Sequence, residues 1–460
     1  MLDEFKKQTN VDVDLKIYPY ETATERLNLD LNSGDYADVI GGWTLSDNAI
    51  LTYGVNQGVF IPLEDYFEKY CPNISAILDL PGVREKMTAP DGHIYTIPYV
   101  CGDTTVGYSP YINTKWLENV GMSMPTTTDE FEAVLKAFKE QDANGNGDAS
   151  DEIPFSTDPN NKHIEAMAGY FGLPMNKLGI AIQDEKVVYG GVSNTYREFL
   201  SWFHKLYADG LVDVELYTQD SSTWEGKGNQ DLYGVSIAYG SNEFTGIPAA
   251  EERGDFDSMP VLNTDKGGIW LRDTEGFSVY RTQAVITNKA EHPEIICRWF
   301  DNAFALENGI GCNRGPVGVI VNKEDDGYHA IDTTTLSEED QEKYSWSNLW
   351  PQSLPKYLPA DFEFVEEHPM YDEKKATEEA YEANLTKEII PSYWIDLDKI
   401  DTFSDTNTAI KDFFEQQQAQ FVCGELDIDN DADWQAYVDG MYSLGLEDWV
   451  ATQGIEEIAK

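Results

Sequence analysis

The apolar residues of this chain switch period again and again, from helical spacing of three and four to strict alternation and back. That switching constrains the fold more than any other feature. Leu2 and Phe5 open on helical spacing, and Val11-Asp-Val-Asp-Leu-Lys-Ile17 then alternates as a strand does. Asn32-Ser-Gly-Asp-Tyr-Ala-Asp-Val-Ile40 reads as a helix ending at Gly34, a turn, and a buried strand over 38–40. Residues 128–141 place Phe131, Val134, Leu135 and Phe138 on one helical face, with Thr126, Thr127 or Thr128 as N-cap and Pro125 just outside. A strand is expected over 233–238, and Pro293 opens an amphipathic helix over 293–306. Trp434, Tyr437, Val438, Met441 and Tyr442 repeat at three and four until Gly445 stops them. Residues 325–400 are richer in acids, Pro and Tyr and read as an insertion of short helices and loops. Helices alternating with strands predict an α/β protein, and 460 residues predict about three domains, or two large ones.

The charge excludes whole classes of partner. Thirty-two Lys and Arg face 83 Asp and Glu, a net charge of −51. Such a surface repels phosphate backbones and anionic headgroups, so nucleic-acid binding and basic-patch membrane binding are excluded. The start, Met1-Leu-Asp-Glu-Phe-Lys-Lys, shows no basic segment followed by an apolar one, so no signal peptide is read there. No apolar run is long enough to cross a bilayer. The five cysteines, Cys71, Cys101, Cys297, Cys312 and Cys423, form no CxxC pair and read as buried thiols.

Several strings stand together in one order. Leu31 to Ile40, then Ile61-Pro-Leu-Glu-Asp-Tyr66, then Asp91-Gly-His-Ile-Tyr-Thr-Ile-Pro98 are followed by Tyr111-Ile-Asn-Thr-Lys-Trp-Leu-Glu-Asn-Val-Gly121 and Met124-Pro-Thr-Thr-Thr-Asp-Glu-Phe131. His292-Pro-Glu, Arg298-Trp-Phe-Asp301 and the end from Phe413 to Trp449 complete the set. Together they resemble the family 1 extracellular solute-binding proteins, in the larger, lipoprotein-type branch that serves bacterial ABC sugar importers.

The resemblance implies an α/β, two-lobed, periplasmic-binding-protein-like (type II) fold with a hinge. Lobe 1 is expected at 1–112 plus 283–325, and lobe 2 at 113–282 plus 326–460. The chain is expected to cross between them near 108–113, 280–287 and 315–330. It further implies capture of a carbohydrate, an oligosaccharide given the number of aromatics, by hinge closure in the cleft. A permease is the implied partner, the receptor a monomer, and its place the outer face of the cytoplasmic membrane, held by a lipid anchor. The family's signal peptide, lipidated cysteine and first strand do not precede Leu2, and the expectation is that a leader has been removed.

One loop is legible from its residues alone. In Asp142-Ala-Asn-Gly-Asn-Gly-Asp-Ala-Ser-Asp-Glu152, oxygen side chains stand at positions 1, 3 and 5 (Asp142, Asn144, Asn146), and Gly147 permits the turn. Asp148 offers its carbonyl, and Asp151 and Glu152 return acids. This is an EF-hand-like set of hard oxygen ligands for a structural calcium ion. The closing Glu falls one position early, and Pro154 denies the loop a standard exit helix. The bland alternative is a solvated Asn/Asp/Gly turn. Asp427-Ile-Asp-Asn-Asp431 shares the acid spacing but has Ala432 where Gly is needed and Val438 where the bidentate acid belongs, and reads as the approach to a helix.

A sugar site needs flat aromatic walls and forked hydrogen-bonding groups. Trp43 and Asp47 follow the strand at 38–40, past its carboxyl end, where open α/β sheets place ligands; in the family an aromatic and an acid in this loop face the cleft. Tyr239 and Asn242 follow the strand at 233–238 in the same way. Trp270, after Lys266-Gly-Gly, reads as a polar-loop residue outside the core, with Arg272 beside it to hold a hydroxyl pair or a carboxylate. Asp103, and Trp350 among Trp224, Trp346, Trp350 and Trp394, complete the ligand-binding candidates. Trp116, Trp202, Trp299, Trp434 and Trp449 lie on helical apolar stripes and are assigned to packing. The six scattered histidines form no HExxH, and GxSxG and GxxxxGK[ST] are absent, so no enzyme is expected. A carbohydrate-active hydrolase and a calcium-dependent surface glycan adhesin are the alternative readings.

Overall fold

The computed structural model describes residues 1–42, 45–159, 163–247, 254–344, 354–365 and 369–459. The chain forms two compact units. One comprises Met1–Asp103, Gly276–Glu366 and Ser392–Asp401; the other comprises Thr104–Glu275, Glu367–Pro391 and Thr402–Lys460. These bounds correct the expected ones. The first passage falls at 103/104 rather than near 112, and 276–282 and 326–366 belong to the first unit. The reason is strand pairing: Phe277–Ile286 is one continuous ten-residue strand of the first unit's sheet, and Lys356–Tyr357 adds to the same sheet.

In the first unit the sheet runs Val39–Gly41, Phe277–Ile286, Thr96–Gly102, Lys356–Tyr357. The first two pairings are antiparallel and the last is parallel. Register is lost between Tyr280, which pairs with Tyr99, and Ala284, which pairs with Ile97. The resulting bulge carries Arg281 and Gln283, and bulges re-aim side chains. Helices Glu64–Tyr70, Pro72–Leu78 and Pro293–Asp301 cover the sheet with Phe67, Ile74, Trp299 and Phe300. Phe5 meets Trp299 edge to face at 5.7 Å.

Residues 11–17 form no strand. Alternation supplies a face, but a strand also needs a hydrogen-bonding neighbour, and none among the described residues pairs with it. Val13, Leu15 and Ile17 are therefore 39, 46 and 80 % exposed. The segment is tied down by Lys16 and Tyr18, both donating to Asp30 of the helix Tyr20–Ser33. That helix ends as expected on Gly34, at φ 76°.

The second unit's main sheet runs Ile153–Thr157, Tyr233–Ala238, Ser109–Asn113, Phe256–Ser258. The first pair is parallel and the others antiparallel. A three-stranded sheet joins Glu457–Ile458, Lys186–Tyr189 and Ile180–Gln183. The helix Thr128–Glu140 buries the expected Phe131, Val134, Leu135 and Phe138. Thr127 is its cap, accepting from the Glu130 N–H at 3.2 Å, while Glu130 reaches back to the Thr126 N–H at 2.8 Å. All five tryptophans assigned to packing lie in or against a core. Asn430 caps the helix Asp431–Ser443, so Asp427–Asp431 is the helix approach expected.

Candidate functional site

In the first unit the edge strand Val39–Gly41 leads toward Trp43, which lies outside the described residues, as does Trp350. Asp47 opens a short helix capped by Ser46, whose hydroxyl accepts from the Ala49 N–H at 3.2 Å. Its carboxylate is already forked by a guanidinium. Arg281 donates from Nε to Oδ1 at 2.8 Å and from its terminal nitrogen to Oδ2 at 2.5 Å. Arg281 also donates to the Tyr393 carbonyl at 2.9 Å and lies 4.0 Å from the centre of the Trp394 ring. Sequence reasoning missed Arg281. Its one signal is a charge in the middle of an otherwise strand-like run, Phe277-Ser-Val-Tyr-Arg-Thr-Gln-Ala-Val-Ile286. Asp103 accepts the Tyr280 hydroxyl at 2.5 Å, and Tyr280 stacks on Tyr99 at 5.5 Å. Burial, reinforced by Asp103's charge, holds the Tyr280 phenol well above its ordinary range.

In the second unit the parallel strands Ile153–Thr157 and Tyr233–Ala238 end at one edge, and Ser109 pairs with Ala238 there. Around that edge stand Tyr108, Asp158, His163, Tyr239, Asn242 and Glu243. The imidazole of His163 lies on the Tyr108 ring with centroids 4.0 Å apart, and Tyr239 meets Tyr108 edge-on at 6.0 Å. The Lys374 ammonium sits over the Tyr239 ring at 3.7 Å and donates to the Gly107 carbonyl at 2.9 Å. Glu243 accepts from the Tyr239 N–H at 2.9 Å, and burial pushes its carboxyl above the usual range. Asn242 fits because residue 240 is glycine: a Cβ there would lie 2.7 Å from Asn242 Oδ1. Burial, aided by the charge of Lys177, holds His163 down at about 3. Its Nε2 is buried with no hydrogen-bond partner among the described residues.

Trp270 requires a correction. It is core, 2 % exposed, packed at 5.8 Å on Tyr170 and edge-on at 5.5 Å against Tyr381. The polar run before it hid a strand, Trp270–Arg272, which pairs in parallel with Leu385–Ile389 more than a hundred residues on. Arg272 is engaged too, donating from Nε to the Thr386 carbonyl at 3.1 Å and lying 3.6 Å from Glu382. Trp224 is likewise buried, its indole N–H donating to Ser236 at 3.1 Å.

The loop at 142–152 follows the helix Thr128–Glu140. Its backbone N–H groups turn inward on its own side chains: Gly147 donates to Asp142 Oδ2 at 2.9 Å, Asn146 to Asn144 at 3.0 Å, Asp148 to Asn146 at 2.8 Å. Gly145 and Gly147 take φ of 75° and 93°, open to glycine at no steric cost. The Ala143 N–H donates to Glu152 Oε1 at 2.8 Å. Two carboxylate oxygens, Asp142 Oδ1 and Glu152 Oε2, are buried without a hydrogen-bond partner among the described residues. Burial and the charge of Asp151 push the Glu152 carboxyl up. Orphaned anionic oxygens at the first and last ligand positions fit a hard cation and are costly without one. Among the described residues, three metal-ligating side chains also converge at Glu324, Asp326 and His329 on an exposed hairpin.

Residues 1–309 match the family model of bacterial extracellular solute-binding proteins. The chain belongs to that family. It is one of binding proteins rather than enzymes, and its two-lobed α/β type II fold is the class expected from sequence. The chain is 34 % identical over 329 residues to the fructooligosaccharide ABC transporter substrate-binding protein FusA of Streptococcus pneumoniae, an alignment covering 69 % of this chain and 60 % of FusA. It is 28 % identical over 272 residues to lipoprotein LipO of Bacillus subtilis, covering 57 % and 51 %. The chain thus spans between half and two thirds of these relatives' length. Among solved structures, the S. pneumoniae FusA EF-hand mutant in complex with fructo-nystose superposes with a TM-score of 0.85 at 27 % identity, over 98 % of this chain and 93 % of that one. FusA in complex with kestose gives 0.84 at the same identity and coverage.

Proposed function

We propose that this chain is the receptor of an ABC importer for a short, neutral oligosaccharide, which it releases unaltered to a membrane permease. The observation that carries this reading is the edge of the second unit's sheet. There a stacked Tyr108–His163 pair, Tyr239 and the acids Asp158 and Glu243 surround the carboxyl ends of two parallel strands. Ring faces suit the C–H faces of a sugar, and acids suit its hydroxyls. Tyr239 and Asn242 belong to this site. Trp43, Asp103 and Trp350 stay in the proposal on sequence grounds, although Asp103, like Asp47 and Arg272, already has a protein partner; Trp270 is core. Arg272 donates to Thr386 and lies near Glu382, and the net charge of −51 favours an uncharged glycan over an anionic one. Kestose and fructo-nystose, bound by FusA, are glycans of that uncharged kind.

Calcium is part of the proposal. Asp142, Asn144, Asn146, Asp148, Asp151 and Glu152 would hold it, as structural charge compensation. The orphaned oxygens support this, and FusA has an EF-hand. Lipid anchoring outside the cytoplasmic membrane, after the lipoprotein LipO, and action as a monomer complete the reading.

Titration calorimetry against kestose, nystose, maltotriose and a trigalacturonate, with chromatography of the recovered sugar, tests it. Saturable binding of a neutral sugar recovered intact is the expected result. Shortened products would favour a hydrolase, and binding to none of the panel would sink the receptor reading.

A further inference from the structure

The segment Ser392–Asp401 belongs to the first unit, although the chain on both sides of it belongs to the second. Its start, 392–394, is held there by one buried arginine. Arg281, with 5 % of its side chain exposed, spends its donors on three separated stretches of the first unit. It forks Asp47, donates to the Lys86 and Ser392 carbonyls at 3.4 Å each, and donates to the Tyr393 carbonyl at 2.9 Å. The Trp394 ring covers the guanidinium at 4.0 Å, and its indole N–H donates to the same Lys86 carbonyl at 3.1 Å. Ile395 and Ile400, 7 and 2 % exposed, anchor the remainder of the segment.

Burying a guanidinium is expensive, and packing alone would be served better by an apolar side chain of similar volume. The gain from this arrangement is rigidity at one place. The backbone of 392–394 is held at two carbonyls and one ring, and between them Tyr393 projects with half its surface exposed. A tyrosine on a fixed backbone has only two side-chain torsions left to order, so it can cover a ligand at low entropic cost. Its position also matters. Asp47, the other end of the clamp, stands six residues beyond the edge strand Val39–Gly41, on the carboxyl side where open α/β sheets take ligands.

We propose that Tyr393, held by the Arg281 clamp, is a stacking wall for a sugar ring on the first unit, with Arg281 as its positioning residue. This rests on the oligosaccharide-receptor reading and adds to it a sugar-stacking residue within the first unit. No bond is made or broken; the ring offers its face to the C–H groups of a neutral sugar.

The test is calorimetry with kestose, nystose and maltotriose on wild type, Tyr393→Ala, Tyr393→Phe, Arg281→Lys and the double variant Arg281→Lys/Tyr393→Ala. For the sugar the wild type binds, Tyr393→Ala weakens affinity by about tenfold or more, with melting temperature unchanged, and Tyr393→Phe keeps affinity near wild type. Arg281→Lys also weakens binding, and the double variant binds no worse than Tyr393→Ala, because the clamp acts through that ring. Wild-type affinity in Tyr393→Ala would overturn the wall, and losses that simply add would overturn the positioning role of Arg281. A wild type that binds no sugar at all would overturn the receptor reading and this inference with it.

Discussion

His163 lies flat on Tyr108, ring centroids 4.0 Å apart and planes within 16° of parallel, while its own backbone sits at a left-handed φ of 43°. A histidine held in that conformation at the edge of a sheet is costly to keep, and here it completes an aromatic shelf rather than a charge. Burial makes the neutral imidazole the stable form. The shelf therefore stays uncharged at neutral pH.

The same burial makes His163 an acid-sensitive element. Its folded value, about 3, lies below the ordinary 6.5, so between those values the unfolded chain binds the extra proton. Stability is complete above pH 6.5 and is lost as pH falls toward 3. Between pH 7 and pH 5 wild type should lose up to about 2 kcal/mol that His163→Phe does not lose. Urea unfolding of both proteins at the two pH values measures the difference, and parallel losses would remove His163 as the cause.

Chelation separates the two readings of the loop at 142–152. Treatment with EDTA should lower the melting temperature, and calcium should restore it. Glu152→Gln removes an orphaned anionic oxygen, so it should leave the chelated protein as stable as wild type or more so, yet blunt the gain from calcium. Equal melting curves with EDTA and with calcium would leave only a solvated turn.

Trp270→Ala should act on stability. Removing a ring packed against Tyr170 and Tyr381 costs about 3–5 kcal/mol. At a temperature where the variant remains folded, its affinity for sugar should match wild type. A selective loss of affinity at unchanged stability would return Trp270 to the site.

Asp47→Asn tests the clamp from its other end. The change leaves Arg281 largely buried with its charge uncompensated, at a cost of about 2 kcal/mol once the partial exposure of Asp47 is allowed for. Denaturant midpoints read this directly, and an unchanged midpoint would show that the carbonyl acceptors suffice.

Sequence by itself determined the features whose causes lie within a few residues. A threonine cap within 126–128, the stop at Gly34 and the strand Tyr233–Ala238 all depend on neighbours along the chain, and all were legible. Helical stripes likewise sorted five tryptophans into cores. Only the tertiary structure decided the features that depend on distant partners. Trp270 is core because a strand more than a hundred residues later closes over it, and 11–17 stays out of the sheets because no strand among the described residues pairs with it. Asp47 faces Arg281 across 234 positions, and the bulge between Tyr280 and Ala284 is what aims that arginine. Local spacing encodes faces, caps and turns; which faces meet is set by the path of the chain, and a buried charge finds its partner only when that path is complete.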